Sequence, residues 1–228
     1  MLSVGTKLAP GTAPPMTQAD YDCSHVVEID EEPRHHLVIA NEFVRAFAVE
    51  VAPHDRTLCH HHPHDYLLYV ASDAEIISAA LDEEPKQLSY HDGECELSSA
   101  GLVHVVENLG DTPFRNVVVE LLPASSTLRR GVQPKPSTGR AQVEQILDED
   151  AGAVFRVQLA PGAKAEISGP SVLASPYDDK VMLKELDDFD IPLDSFRRLM
   201  WVCAPRKVSI RNRGQSPARA IVFQVGLR

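Results

Sequence analysis

PHDRTLCHHHPHDYLLYV (residues 53–70) holds five of the chain's ten histidines, at positions 54, 60, 61, 62 and 64. Core packing does not gather imidazoles at this density. The stretch ends in an apolar run after Pro and Asp, the composition of a strand. Alternate residues of a strand share a face, so His60 and His62 point one way and His61 the other. Two imidazoles then converge on one point, as a metal site requires.

Outward from this stretch, short runs rich in Val, Ile, Leu and Phe recur between Gly, Pro, Asp and Asn, and helical periodicity is scarce. The expected class is all-β, with strands at 43–51, 65–70, 74–81, 104–108 and 114–122. The chain also repeats itself. NLGDTPFRNVVVELL (108–122) aligns without gaps on NRGQSPARAIVFQVG (212–226), pairing Asn108 with Asn212, Gly110 with Gly214, Pro113 with Pro217 and Arg115 with Arg219. Upstream, FAVEVAPHD (47–55) aligns on FRVQLAPGA (155–163). A tandem duplication of a domain-sized unit follows. SSTLRRGVQPKPSTGR (125–140) has the Ser, Pro and Gly content of a linker. The expected divisions are an N-terminal extension (1–33), a first domain (34–124), the linker and a second domain (141–228). Residues 178–196 are acidic and irregular, and are read as a helical turn or loop between strands.

Composition removes several functions. A formal charge of −11 opposes nucleic acid and anionic lipid as partners. No apolar run approaches the roughly 20 residues of a spanning helix, so no membrane partner is expected. The first 20 residues, interrupted by Pro10, Pro14 and Pro15, read as a loose lead-in without a secretory signal. Cys23, Cys59, Cys95 and Cys203 are scattered and form no CxxC pair, so free thiols and a reducing, cytoplasmic compartment are expected, with Cys59 a buried inert thiol.

A second stretch, GECELSSAGLVHVVEN (93–108), completes a resemblance. The two stretches resemble the cupin superfamily, whose motifs read G(X)5HXH(X)3–4E(X)6G and G(X)5PXG(X)2H(X)3N. His60 and His62 stand in the first motif. Gly93, Gly101, His104 and Asn108 stand in the second, with Ser99 in place of Pro. The match covers most of residues 40–122. It implies two tandem cupin-type jelly-roll β-barrels, the first holding one divalent metal on His60, His62 and His104. His35, His36, His61 and His64 are expected in solvated or hydrogen-bonded roles.

The family's carboxylate ligand is missing, because its position falls on Tyr66 or Leu67, and Asp65 faces the other way. A three-histidine site leaves the ion its full charge and favours a small anionic substrate. Imidazole ligands suit Fe, Zn, Mn, Ni or Cu alike. Tyr66 is a candidate for substrate handling, acid–base work or ligation, and otherwise a core aromatic. Glu120 is a candidate second-sphere group or base. In the second copy, simple offsets place Ser168, Pro170 and Val208 opposite the three histidines and Gln224 opposite Glu120, so that half cannot hold the same metal. Its expected contribution is packing area in a monomer or homodimer, with Trp201 and Met200 filling or lining its interior. Three-histidine cupins include thiol and diketone dioxygenases, so the resemblance implies oxygenase-like or Lewis-acid lyase or isomerase chemistry. The alternative is a bicupin that binds or senses a small molecule without turnover.

Overall fold

The computed structural model describes residues 17, 20–175, 177, 181–184, 190–193 and 195–228. The lead-in expected over residues 1–20 thus lies largely outside the described residues. The protein is nearly all-β, with 55% of residues in strands and 5% in helix. The first ten strands are β1 (Val27–Glu28), β2 (His35–Ala40), β3 (Val44–Val51), β4 (His60–His62), β5 (Tyr66–Val70), β6 (Ala74–Ala80), β7 (Lys86–Tyr90), β8 (Cys95–Ser98), β9 (Leu102–Asn108) and β10 (Phe114–Leu121). They form two five-stranded sheets, in the orders β1-β4-β9-β6-β7 and β2-β3-β10-β5-β8. Every residue of β5 is buried, as its unbroken YLLYV sequence requires of a strand covered on both faces.

The next ten are β11 (Lys135–Thr138), β12 (Ala141–Glu149), β13 (Gly152–Leu159), β14 (Lys164–Ser168), β15 (Ser171–Ala174), β16 (Val181–Lys184), β17 (Asp190–Leu193), β18 (Leu199–Val202), β19 (Lys207–Asn212) and β20 (Ala218–Val225). Their sheets run β11-β14-β19-β16-β17 and β12-β13-β20-β15-β18. This is the order of the first pair of sheets with every strand advanced by ten, so the duplication read from the sequence holds at the level of topology. Together the sheets are tandem jelly-rolls. The described residues fall into two compact units, those up to residue 37 with 49–118, and 38–48 with those from 119 onward.

The repeated Asn explains why the repeat is visible at all. Asn108 is fully buried and its Nδ2 donates to the carbonyls of Val51, Ala52 and Thr112, while its Oδ1 accepts from Gly110 N–H. Asn212, equally buried, donates to Leu159 and Ser216 and accepts from Gly214 N–H. One side chain thus satisfies a whole turn in each half, and no other residue type offers that donor and acceptor pattern at that length. Gly93 and Gly101 carry φ of +96° and +92°, a region that glycine enters without steric cost. Gly101 N–H donates to His62 O at 2.8 Å, which ties the turn before β9 to the end of β4.

Three expectations need correction. Cys23 and Cys59 form a disulfide, with Cα atoms 5.2 Å apart. The sequence separation of 36 concealed the pair, which becomes adjacent only because β1 lies parallel to β4, Val27 opposite His60, with Val27 N–H donating to Cys59 O. Cys59 is therefore no thiol, and Cys95 and Cys203 are the cysteines outside the disulfide. Within the stretch read as a linker, Lys135–Thr138 is a strand, β11, paired with β14. Of the acidic stretch at 178–196, residues 181–184 and 190–193 form an antiparallel pair, β16 with β17, and not a helical turn.

Among the described residues no helix is long and apolar enough to cross a membrane.

Candidate metal centre

β4 and β9 are antiparallel neighbours, and their register puts His60 opposite His104. Alternation does the rest. His60 and His62 are 0% and 2% exposed, whereas His61 turns out toward Glu28, Nδ1 to Oε1 3.3 Å. The ring centroids of His60 and His104 are 4.7 Å apart, those of His60 and His62 5.0 Å, and those of His62 and His104 5.2 Å. The three histidines singled out in the sequence are thereby brought together.

Tautomers follow from their partners. His60 Nδ1 lies 2.9 Å from Leu58 O, a carbonyl that can only accept, so Nδ1 carries the proton and Nε2 presents a lone pair. His60 Nε2 and His62 Nε2 are 3.1 Å apart. His104 Nδ1 is 3.2 Å from Ser78 Oγ, which leaves its Nε2 for the interior when Nδ1 donates. Burial, reinforced by the neighbouring His35 ring, brings the His60 pKa down to about 4. Burial and then the imidazoles of His60, His62 and His35 push His104 well below the ordinary range. Neutral imidazoles with inward lone pairs are the state that a cation requires.

His35, the first residue of β2, is expected in a solvated or hydrogen-bonded role, and the structure also sets it beside the cluster. It is buried, its ring centroid is 4.6 Å from that of His60 and 6.0 Å from that of His62, and the ligand atoms of His35, His60 and His62 lie within 4.8 Å of one another. The expected hydrogen-bonded role is also present, since His35 Nδ1 meets Glu32 Oε2 at 2.8 Å. Glu32 is 1% exposed. Burial alone would raise its pKa, yet the His35 hydrogen bond and charge, with the amides of Arg34 and Leu58, bring it to about 2. No motif spacing flags a histidine 25 positions before His60. Its pairing with a buried carboxylate appears only in three dimensions.

Tyr66, in the slot of the missing carboxylate, is 5% exposed and stacks on His62, with centroids 4.5 Å apart and planes at 28°. Asp65 faces away and accepts from Ala100 N–H at 2.7 Å. Glu120 is fully buried, with Oε2 2.7 Å from Arg45 Nε. That ion pair gives its carboxylate a structural partner.

In the second unit β14 pairs with β19 so that Ile167 faces Val208. The residue in the position of His60 is thus Ile167, one place before the Ser168 that a simple offset gives. Ile167 and Val208 are 1% and 5% exposed and belong to one core cluster with Phe155, Leu159 and Ile210. An apolar contact replaces a pair of ligands. Ser168 Oγ and Gln224 Nε2 instead both donate to Val132 O.

No family model matches the chain, and no curated protein does. Solved structures do. AerE from Microcystis aeruginosa is 12% identical, with a TM-score of 0.58 over 84% of this chain and 96% of that one. A salicylate 1,2-dioxygenase from Pseudaminobacter salicylatoxidans is 8% identical, with a TM-score of 0.56 over 82% and 75%. A cupin 2 conserved barrel domain protein from Leptotrichia buccalis is 8% identical, with a TM-score of 0.52 over 96% and 100%. At these identities the likeness is one of fold.

Proposed function

We propose that this chain, which has the cupin superfamily fold, is a metalloenzyme that holds one divalent transition-metal ion on His60, His62 and His104 and acts on a small anionic metabolite. The observation that carries the reading is the convergence of these three buried imidazoles, His60 with its Nε2 lone pair fixed inward by Leu58 O. When bound, such an ion supplies Lewis acidity and open positions for an anionic chelate, and oxygenase chemistry if it is redox-active.

The remaining roles belong to the chain. His60, His62 and His104 contribute no negative charge, so a carboxylate or enolate supplies what they lack. Salicylate, in the name of one structural neighbour, is a hydroxy-carboxylate of this class. Tyr66, packed on His62, orients that substrate through its hydroxyl. The second jelly-roll, with Ile167 and Val208 in the ligand positions, contributes packing within a monomer or homodimer. The Cys23–Cys59 disulfide argues against the expected cytoplasmic location, where thiols are kept reduced.

The test is metal analysis of full-length protein purified without chelators, beside His62→Ala. Close to one equivalent in the parent and loss in the variant is the expected result. Less than about a tenth of an equivalent of any transition metal after reloading, or equal loading in the variant, overturns the proposal.

A further inference from the structure

We infer that His35 is a further metal ligand, a fourth nitrogen in place of the missing carboxylate, and that Glu32 is the positioning residue that aims it. This deepens the reading above and rests on it.

Glu32 is an unusual residue to find buried. Burying a carboxylate costs several kcal/mol unless its oxygens are well satisfied. Glu32 is buried, and each of its oxygens has two partners. Oε2 takes Arg34 N–H at 2.7 Å and His35 Nδ1 at 2.8 Å, while Oε1 takes Arg34 Nη1 and Leu58 N–H, each at 3.2 Å. Arg34 is held in turn by Asp55, through Nε at 3.0 Å and Nη2 at 2.8 Å. A turn anchor alone would need only the backbone contacts. The bond to His35 does something more, because a carboxylate can only accept, so His35 Nδ1 carries a proton and Nε2 is the nitrogen that becomes the lone pair when the ring is neutral, as it is on a metal ion. The adjacent rings are those of His60 and His62.

Leu58 makes the arrangement cooperative. Its N–H is bound by Glu32 and its carbonyl takes His60 Nδ1. One carboxylate therefore fixes His35 directly and His60 through a single residue, the carboxylate–histidine pairing that orients metal ligands and raises their basicity. Distance permits ligation. Donors bound to one ion at about 2.1 Å lie at most about 4.2 Å apart, and the candidate donor atoms of His35, His60 and His62 lie within 4.8 Å, so a closure of about half an ångström brings them onto one ion.

Two measurements on the full chain with Co(II) decide this. In the Co(II)-loaded parent, paramagnetically shifted, exchangeable imidazole N–H signals are counted by NMR. Four signals are expected, and three overturn the inference without any variant being needed. Co(II) titrations followed by visible absorption then compare His35→Ala, Glu32→Gln and His62→Ala. His35→Ala should change the band envelope and weaken binding by at least tenfold, and Glu32→Gln should weaken it by about ten- to a hundredfold. A parental spectrum and affinity within threefold in His35→Ala, beside lost binding in His62→Ala, overturns the His35 assignment alone. Parental binding in His62→Ala overturns the underlying metal site as well.

Discussion

Replacing both Cys23 and Cys59 by Ala should destabilise the first unit by about 4 kcal/mol. The disulfide closes a loop with a sequence separation of 36, and the entropy that such a closure removes from the unfolded chain corresponds to about 4 kcal/mol at 25 °C. The segment from Asp20 to β1 retains other holds. Tyr21 donates to Glu107 at 3.0 Å, Arg56 Nη1 to Asp20 O at 3.1 Å, and β1 stays paired with β4. The folded state should therefore survive, and the loss should appear as a changed equilibrium. Urea unfolding followed by far-UV circular dichroism reads it. With a urea dependence of about 2 kcal/mol per molar, the midpoint should fall by about 2 M. A thiol count on denatured protein supplies the premise, with two reactive thiols, Cys95 and Cys203, before reduction and four after. Four thiols without reductant, or a midpoint shift under about 0.5 M, would refute the reasoning.

Asn108→Ala and Asn212→Ala should each cost about 2 to 3 kcal/mol in denaturant unfolding, because each strands buried carbonyls and a glycine N–H in its turn. Arg45→Ala should cost about 3 kcal/mol by removing the guanidinium that pairs with the buried Glu120 carboxylate, with metal content unchanged by elemental analysis. That separates Glu120 from the metal centre, and lost metal would instead restore its second-sphere role. Tyr66→Phe should keep full metal loading while weakening substrate binding or turnover by at least about tenfold. Lost loading would make the phenol a ligand.

Strands were legible because their apolar runs ended in turn residues. Residues 114–122 and 65–70 match β10 and β5 to within a residue at either end. The metal motif was legible because period-two alternation is a local property, and His60, His61 and His62 sort by it. What escaped depended on long-range register. Cys23 meets Cys59, and Glu32 meets Leu58 N–H, only after residues 20–35 are laid beside β4. The equivalence of Ile167 with His60 needed the β14 and β19 ladder, since a constant offset ignores where a turn loses its residues. β11 was hidden because an exposed edge strand such as KPST shows no apolar periodicity.

The two halves together allow a stricter test of what makes the site. If ligand placement sufficed, Ile167→His with Val208→His would rebuild half of a metal centre at the register already occupied by His60 and His104. The surroundings argue otherwise. β12, the counterpart of β2, opens on Ala141 where β2 opens on His35, and Ile167 and Val208 sit in an apolar cluster with Phe155, Leu159 and Ile210. Two imidazoles placed there lack the partners that Leu58 O, Ser78 and Glu32 supply in the first half. Each buried, unsatisfied ring should cost about 1 to 3 kcal/mol. The double variant should unfold at lower denaturant and gain no stoichiometric Co(II) binding beyond the parent's single site. A second equivalent bound with parental affinity would show that paired histidines on this ladder need no supporting carboxylate, and would remove the reason for assigning one to Glu32.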